Sequence, residues 1–573
     1  MSFDRATYAA VYGPTTGDRV RLADTGLVVE VERDDTEAGD ELLGGCGKTV
    51  REGLLLTSGA RSSELDMIVT NALVLDPLLG VVKTNIGIKD GRIAGLGRAG
   101  SPDAVDDVEL VVGPHTAMIP AEGMIVTPGV VDSHVHLSSP ALLDVALSAG
   151  VTTVVGMGLG GVWDIGVNPK RNLDLMIEAW REVPVNVAFL ARGSSVRRAP
   201  LEAAVLAWAG GFKVHEDFGA QPAVVDTCLA VADAAGLPVA LHTDSLNESG
   251  LLADTLDATR GRTVHAYHVE GGGGHPDLLE ILAHPHVLAS STTPTLPYTV
   301  NTAAELFPMT MTVHRQNALL PGDVEVTASR VRASAIAAEN ALHDAGAVSI
   351  VNSDSMGMGR VGETARRTWQ LAAHAKAVEQ EDARGNGGHD NERVLRYLAK
   401  ITINPAIAHG MAGQIGSIAP GKVADLVVWH PAWFGAKPEL VVKSGFVAWG
   451  VSASGAASTR AGQPRAYRRF FGAMGDAPRR LAHVFVAAEA LEDAAARRAL
   501  PPGAELPAGQ RRTRADPCGH GAQHPCPARP RAPRRRARPG GRPPGGPAPG
   551  RLAPPHPGPP SGVTGGRGML PGC

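Results

Sequence analysis

Short apolar runs alternate with helical stretches through the middle of the chain, and this alternation limits the fold more than any other feature. About eight such runs separated by helices over roughly 250 residues are what a (βα)8 barrel of the TIM type requires. We therefore predict an α/β fold with such a barrel, and a doubly wound open sheet is the structural alternative that periodicity leaves open. The predicted barrel strands are residues 124–131, 151–156, 185–190, 211–214, 238–241, 262–264, 287–289 and 348–351.

Segments on either side of the predicted barrel resemble strands of a second, smaller domain. Residues 66–76 are rich in Ile, Val and Leu, and two alternating runs within 84–96 meet at Asp90-Gly91. Such a pair favours a tight hairpin because glycine tolerates a positive φ. Residues 424–429 and 440–449 also read as strands. We predict that the two groups join into one β-rich domain.

The composition changes sharply near the end of the chain. From Pro517 to Cys573, 29 of 57 residues are Pro or Gly. Such a segment has too few apolar side chains to offset the entropy lost when it becomes ordered. We predict five parts: a β-rich domain at 1–125, the barrel at 126–415, a return to the β domain at 416–450, a helical or irregular region at 451–508, and a disordered tail at 509–573.

Charge and apolar content limit the partners. Nine of the 54 basic residues lie beyond Asp516, so 45 bases before that point face 58 acids. This balance argues against nucleic acid and anionic membrane as partners of the body. No run of about 18 apolar residues occurs, and residues 1–12 contain no apolar stretch, so we expect neither a membrane-spanning helix nor a secretory signal. Of the five cysteines, only Cys46 and Cys228 lie before the tail, and two scattered cysteines form no disulfide framework, which fits the cytoplasm.

A His-x-His motif follows the first predicted barrel strand. His134 and His136 alternate along the chain and so project to one face of a strand, where both can bind one metal ion. Alone, the pair is a weak signal, and two ordinary polar residues explain it better than a metal site. Other candidate ligands also follow predicted strands, and the C-terminal ends of barrel strands converge. These candidates are His215, His242, His268 and Asp354. We predict a metal site, and imidazole with carboxylate allows zinc or another first-row ion.

Lys213 lies among these candidates, although an ammonium is no metal ligand. A lysine whose pKa is lowered by burial near cations can capture carbon dioxide as a carbamate. Such an anion can bridge two metal ions about 3.5–4 Å apart. A surface lysine in a salt bridge is the alternative. The neighbouring sequence, Gly-Phe-Lys-Val-His-Glu-Asp at 211–217, favours the carbamate.

The motifs around these residues resemble those of the urease alpha (catalytic) subunit family, in the amidohydrolase superfamily. The resemblance covers about residues 1–505. Its motifs are long and keep their order along the chain. They are residues 13–18, 20–25, 134–136, 213–219, 241–250, 265–270, 294–298, 353–355, 358–363, 404–406 and 424–426.

The resemblance implies a centre of two Ni2+ ions that hydrolyses urea to ammonia and carbamate. One nickel would be held by His242 and His268, and carbamylated Lys213, formed with CO2, would bridge the two ions. The ligands implied for the other nickel are His134, His136 and Asp354.

The resemblance also implies roles for three residues around the metals. His215 would donate a hydrogen bond to the urea carbonyl oxygen, and His314, on a helical flap, would protonate the leaving ammonia. Arg330 would orient the flap. The implied partners are urease beta and gamma subunits, or a fused beta/gamma chain, in a hetero-oligomer, with accessory proteins that deliver nickel.

The chain departs from the family pattern in the substrate pocket, while all six metal ligands are kept. Ureases usually have Cys-His-His-Leu in the flap, where residues 313–316 here are Val-His-Arg-Gln. The loop from Gly158 to Asn168 is shorter and bulkier than the family's Gly- and Thr-rich loop, and Met356-Gly357 replaces Gln-Ala. A paralogue that acts on another amide or has weak activity, and a non-catalytic subunit of a urease-like assembly, are therefore alternative functions.

The sequence beyond about residue 512 does not match the family's C-terminus. A GC-rich coding sequence read in a shifted frame would give this mixture of Pro, Arg and Gly, and we hypothesise a frameshift. A basic arm that binds nucleic acid is the alternative hypothesis.

Overall fold

The computed structural model describes residues 4–44, 48–50, 55–58, 63–157, 170–242, 252–269, 276–382, 388–453 and 465–492. Within these residues, eight parallel strands pair in chain order, and we number them barrel strands 1 to 8. They are Val130–His136, Val151–Met157, Asn186–Arg192, Gly211–Val214, Val239–His242, Val264–Tyr267, Val287–Thr292 and Ile350–Asn352.

The parallel sheet curls until its two ends meet. The His136 N–H donates to the carbonyl of Ser355 at 2.9 Å, and Val135 forms a parallel bridge with Ser355, just beyond barrel strand 8. A doubly wound sheet would reverse its strand order in the middle, and this sheet does not. The α/β barrel prediction is confirmed.

Helices connect the barrel strands and cover them from outside. Helix Pro222–Ala235 shows how the sequence sets their ends, with proline in its first turn and Gly236 at φ 62° as its C-cap. The described α-helices are Arg5–Tyr12, Leu143–Ser148, Lys170–Trp180, Arg198–Val205, Pro222–Ala235, Leu252–Thr259, Thr302–Val313, Pro321–Arg330, Ala333–Asp344, Thr364–Asp382, Asn391–Ala399, Ile403–Ala408, Pro478–Leu481 and Ala488–Glu492. None of the helices in the described part of the chain is long and apolar enough to cross a membrane.

A second sheet, of ten described strands, combines segments from before and after the barrel. The two groups join where Ile125–Pro128 pairs antiparallel with Leu426–Trp429. Eight strands follow one another in space: Arg465–Arg469, Phe446–Ala453, Leu440–Lys443, Leu426–Trp429, Ile125–Pro128, Met67–Asp76, Gly80–Lys89 and Arg33–Asp34. Arg92–Gly97 and Ala117–Pro120 pair beside this path. The predicted joining of the two β segments is confirmed.

Two smaller strand pairs lie outside the two large sheets. Arg19–Arg21 pairs antiparallel with Val28–Glu30. Ala99–Gly100 pairs in parallel with Leu110–Val111. Both pairs are short.

Two strand predictions were wrong because a single apolar run hid a change of direction. The run 124–131 divides at Gly129, where the chain passes from the ten-stranded sheet into the barrel. A Cβ at Gly129 would lie 2.0 Å from Thr152 Oγ1, so only glycine fits this close approach. The run 440–449 is a hairpin that turns at Ser444-Gly445, with φ 43° and 74°. The predicted turn at Asp90-Gly91 is confirmed and has the same geometry, with φ 50° and 73°.

A buried ion pair fastens the ten-stranded sheet to the barrel. Lys443 Nζ lies 2.5 Å from Asp425 Oδ2 and donates to the carbonyl of Thr152 in barrel strand 2 at 3.2 Å. The same Asp425 oxygen accepts from Asn186 Nδ2, in barrel strand 3, at 2.7 Å. Burial lowers the pKa of Lys443, and the Asp425 charge opposes this shift. The ion pair therefore connects the ten-stranded sheet to barrel strands 2 and 3 through hydrogen bonds.

We expect Lys443→Met to destabilise the fold by about 3–5 kcal/mol, because it leaves the Asp425 carboxylate buried without its cation. Guanidinium chloride unfolding followed by circular dichroism measures this change. The exposed Lys437→Met serves as the control and should stay within about 0.5 kcal/mol of the wild type. Equal stability of the two variants would contradict the fastening role.

Candidate metal centre

The two histidines of the His-x-His motif lie together at the end of barrel strand 1. His134 and His136 are both buried, and their ring centroids are 5.5 Å apart. Tyr267 of barrel strand 6 stacks on the His134 ring at 3.9 Å. Burial, followed by the charge of Lys213, lowers the pKa of His134 well below its usual value. A neutral imidazole is the form that binds a metal ion.

Asp354 brings a carboxylate to these histidines from the end of barrel strand 8. Its Oδ1 lies 3.1 Å from His136 Nε2 and 3.4 Å from His134 Nε2, and its Oδ2 lies 3.9 Å from His268 Nε2. The Met358 N–H donates to Oδ2 at 3.0 Å. One carboxylate thus faces imidazoles from barrel strand 1 and from the end of barrel strand 6.

Two ligand candidates just beyond barrel strands 6 and 8 have a strained backbone. His268 has φ 57° and Asp354 has φ 51°, in the left-handed region that residues with a side chain rarely adopt. Strain of this kind persists where the surrounding structure holds it, and it concentrates at functional sites. The turns after barrel strands 6 and 8 therefore aim these two side chains inward at an energetic cost.

A second group forms around Glu216, a residue that the sequence pattern did not single out. Its Oε2 lies 3.1 Å from His215 Nδ1 and 3.0 Å from His242 Nδ1, and the two rings stack at 4.2 Å. Burial acts to raise the pKa of Glu216, but the charges of His215, His314 and Arg330 outweigh it and lower that pKa. The signal that could have found Glu216 was a carboxylate directly after a candidate ligand at a strand end.

The two groups are neighbours in one site. The His268 ring lies 5.0 Å from the His134 ring and 4.8 Å from the His242 ring. Within each group, the ligand atoms are at most 4.8 Å apart. The groups are His134 with His268 and Asp354, and His215 with Glu216 and His242. This convergent donor set of imidazoles and carboxylates, mostly buried, fits metal binding.

Lys213 lies beneath the same site in barrel strand 4. Its side chain is buried, and Nζ lies 3.9 Å from the centroid of the Tyr267 ring. Tyr267 also stacks on His134, and its hydroxyl donates to the carbonyl of Ser133 at 2.6 Å. The lysine is therefore inside the barrel near the histidines, and the alternative of a surface salt bridge is wrong.

His314 and Arg330 approach the site from the flap, which we define as helix Thr302–Val313, turn 314–320 and helix Pro321–Arg330. The His314 ring lies 6.3 Å from that of His242, and Arg330 Nη1 lies 3.2 Å from His314 Nε2. Burial and the Arg330 charge lower the pKa of His314, while Glu216 and Asp354 oppose the shift. The structure thus brings every site residue predicted from the sequence to one end of the barrel.

Parts of the predicted pocket lie outside the described residues. The altered loop from Gly158 to Asn168, the motif residues 243–250 and the tail beyond 492 belong to this group. Of the predicted departures, residues 313–316 and Met356-Gly357 are described.

Two family models match the chain in succession. The model described as "Urease alpha-subunit, N-terminal domain" matches residues 1–119, and "Amidohydrolase family" matches residues 125–464. Among similar proteins, urease subunit alpha 2 of Streptomyces coelicolor is 48% identical over 495 residues, covering 86% of this chain and 88% of that protein. Urease subunit alpha 1 of Streptomyces avermitilis is 49% identical over 490 residues, covering 85% and 87%. Urease subunit alpha of the archaeon Sulfurisphaera tokodaii is 48% identical over 479 residues, covering 82% and 85%.

We expect Gly357→Ala to weaken metal binding by about 10–100-fold, the usual effect of disturbing a group that orients a ligand. A Cβ at Gly357 would lie 2.3 Å from Asp354 Oδ1 and would displace that carboxylate. Metal content after dialysis against a competing chelator measures the change. Gly322→Ala is the matched control because its Cβ would meet nothing within 4 Å. Equal metal retention by both variants would contradict a ligand role for Asp354.

Proposed function

The chain belongs to the family of urease alpha subunits, and we propose that it is a catalytic subunit that hydrolyses urea to ammonia and carbamate at a dinuclear nickel centre. The observation that carries this proposal is the convergence of buried imidazoles and carboxylates at the C-terminal ends of the barrel strands. Active sites of these barrels lie at that end. Relatives named as urease alpha subunits, 46–49% identical over most of the chain, support urea as the substrate.

We assign the ligands to two ions that share one bridge. His242 and His268 would hold one nickel, and Lys213, converted by CO2 into a carbamate with loss of a proton, would reach both. The ligands of the other nickel would be His134, His136 and Asp354. When bound, the two ions would polarise the urea carbonyl and lower the pKa of water in the site. Glu216 would orient His242, as carboxylates behind metal-binding histidines do.

His215 would bind the urea carbonyl oxygen. Its ring is fixed by stacking on His242 at 4.2 Å and by Glu216 Oε2 at 3.1 Å from its Nδ1. A donor held in this way needs no reorganisation when negative charge develops on the carbonyl oxygen. The closeness of His215 to a metal-ligand candidate supports a place beside the substrate.

His314 would transfer a proton to the leaving nitrogen. A guanidinium can only donate hydrogen bonds, so Arg330 Nη1, at 3.2 Å, makes His314 Nε2 the acceptor. The proton of the neutral ring then lies on Nδ1, which would deliver it to the leaving nitrogen while the ring takes up the proton lost by the water that adds to the carbonyl. Arg330 would in this way fix the tautomer of His314 as well as its position.

The remaining proposals concern the setting of the enzyme. We place it in the cytoplasm, in a hetero-oligomer with urease beta and gamma subunits or a fused beta/gamma chain. Accessory proteins would deliver the nickel and allow Lys213 to be carbamylated. The five-part division of the chain at residues 125, 415, 450 and 508 is part of the same proposal.

We expect Lys213→Ala to abolish ammonia release from urea and to reduce bound nickel, because no side-chain nitrogen is left to form the bridge. The assay uses the complex co-expressed with its small subunits and nickel-delivery proteins. Exposed Lys437→Ala is the matched control and should keep wild-type activity. A wild-type complex that binds about two nickel ions per chain yet releases no ammonia would reject urea as the substrate.

His314→Gln should lower kcat by about 10²–10⁴-fold, the usual contribution of a general acid, with little change in KM. Glutamine keeps a hydrogen-bonding side chain of similar length but has no proton to transfer. Steady-state kinetics on urea measure the effect, with the surface variant His430→Gln as control. A parallel rise of KM without loss of kcat would assign His314 to substrate binding instead.

A further inference from the structure

The two functional side chains of the flap come from its two separate helices. His314 follows the first helix directly, and Arg330 is the last residue of the second. Their contact at 3.2 Å therefore depends on how the two helices are placed against each other. Whatever fixes that placement also fixes the atom of His314 that carries the proton.

A polar pair joins the helices beside this contact. The hydroxyl of Thr327, which is buried, hydrogen-bonds the carboxamide of Gln316. Gln316 comes two residues after His314, and Thr327 comes three residues before Arg330, on the same face of the second helix. The hydrogen bond thus ties the two chain segments that carry His314 and Arg330.

The hydrogen-bonding capacities of the two side chains match. Thr327 Oγ1 lies 3.0 Å from the carbonyl of Asp323, to which the hydroxyl can donate. The same hydroxyl donates to Gln316 Oε1, so its one proton is shared between the Asp323 carbonyl and the carboxamide oxygen. A leucine at position 316, as in the usual urease flap, offers no acceptor. The pair therefore depends on a residue in which this chain differs from its family.

Other contacts hold the turn but do not replace the pair. The Gln316 N–H donates to the carbonyl of Met311 at 2.8 Å, within the first helix and its turn. The Asn317 N–H donates to Asp323 Oδ2 at 2.8 Å, at the start of the second helix. These two contacts end at Met311 and Asp323, whereas the Gln316 side chain bonds Thr327, three residues before Arg330.

We propose that Gln316 and Thr327 are positioning residues, a clasp that keeps Arg330 against His314 and makes the two flap helices move as one body. The part of this inference that concerns turnover rests on the proposed function. Within the described part of the chain, the side-chain hydrogen bonds of Gln316 and Thr327 run to flap residues and not to metal-ligand candidates. It acts through Arg330 on the position and tautomer of His314.

The kinetic test compares Thr327→Val, Gln316→Leu and the double variant in the nickel-loaded complex. Each single variant should lower kcat about tenfold, the equivalent of one hydrogen bond, with KM for urea and nickel content unchanged. The double variant should be no slower than either single one, because both remove the same interaction. Thr327→Ser, which keeps the hydroxyl, should restore the rate.

Two controls separate the clasp from general damage to the flap. Thr312→Val removes a flap hydroxyl that donates to the carbonyl of Pro308 in its own helix at 2.8 Å, and should leave kcat unchanged. In a His314→Gln background, Thr327→Val should cause no further loss. Independent effects that multiply in the double variant, or an equal loss in Thr312→Val, would overturn the proposal.

Backbone hydrogen exchange tests the clasp without any assay of activity. Amides of residues 314–320 should exchange about tenfold faster in Thr327→Val and Gln316→Leu, and at the wild-type rate in Thr312→Val. Unchanged exchange in the two clasp variants would overturn the proposal even if kcat falls. A wild-type complex that releases no ammonia would reject the proposed function, while the exchange rates would still decide the clasp.

Discussion

Two carboxylates, those of buried Asp354 and largely buried Glu216, organise the centre of this molecule. Asp354 faces the Nε2 atoms of three histidines at 3.1–3.9 Å, and Glu216 faces two more at 3.0 and 3.1 Å. Removing charged or polar groups from water is costly unless they are paired, and each carboxylate offers the pairing that its imidazoles need. The barrel makes this pairing possible because it brings the ends of distant strands to one place. The proposed chemistry then depends on five imidazoles held in place by two carboxylates.

The backbone around the centre is arranged to keep those pairs. Asp132 Oδ1 accepts from the His134 N–H at 3.3 Å and from the Ser353 N–H at 3.0 Å, so one side chain fixes the ends of barrel strands 1 and 8. Burial raises the pKa of Asp132 to about 6, and its hydrogen bonds oppose that shift. The left-handed residues Asp354 and His268 each adjoin such a hydrogen bond, from the Ser353 N–H to Asp132 and from the Val269 N–H to the Ser290 carbonyl at 3.2 Å, and contacts of this kind hold a strained backbone. Strain at the ligands is thus balanced by hydrogen bonds a few residues away.

The sequence carried the strand pattern and the metal-ligand candidates, because both follow from local chemistry. Buried strands need apolar runs, and a His-x-His pair at a strand end places two imidazoles on one face. The turns at Gly129 and Ser444-Gly445 were missed because apolar residues lie on both sides of each turn, so two strands were interpreted as one. Glu216 was not singled out because its role depends on His242, a residue from another strand. Side-chain contacts across the barrel join residues that are far apart in the sequence, so the periodicity of the chain does not predict them.

Two of the predicted family departures lie at turns where the backbone conformation, and not the side chain, sets the geometry. Arg315 and Met356 have φ 53° and 69°, and both side chains are exposed. Arg315 follows His314 directly, and Met356 lies two residues after Asp354. In each case the turn, and not the exposed side chain, sets the direction of the functional residue. A changed side chain at such a position leaves the ring or carboxylate in place, provided that the turn itself survives. Gln316 differs from them, because it points into the flap and bonds the buried Thr327. Changes on the outside of these turns alter the surface of the pocket, whereas a change at Gln316 alters how the flap holds its histidine.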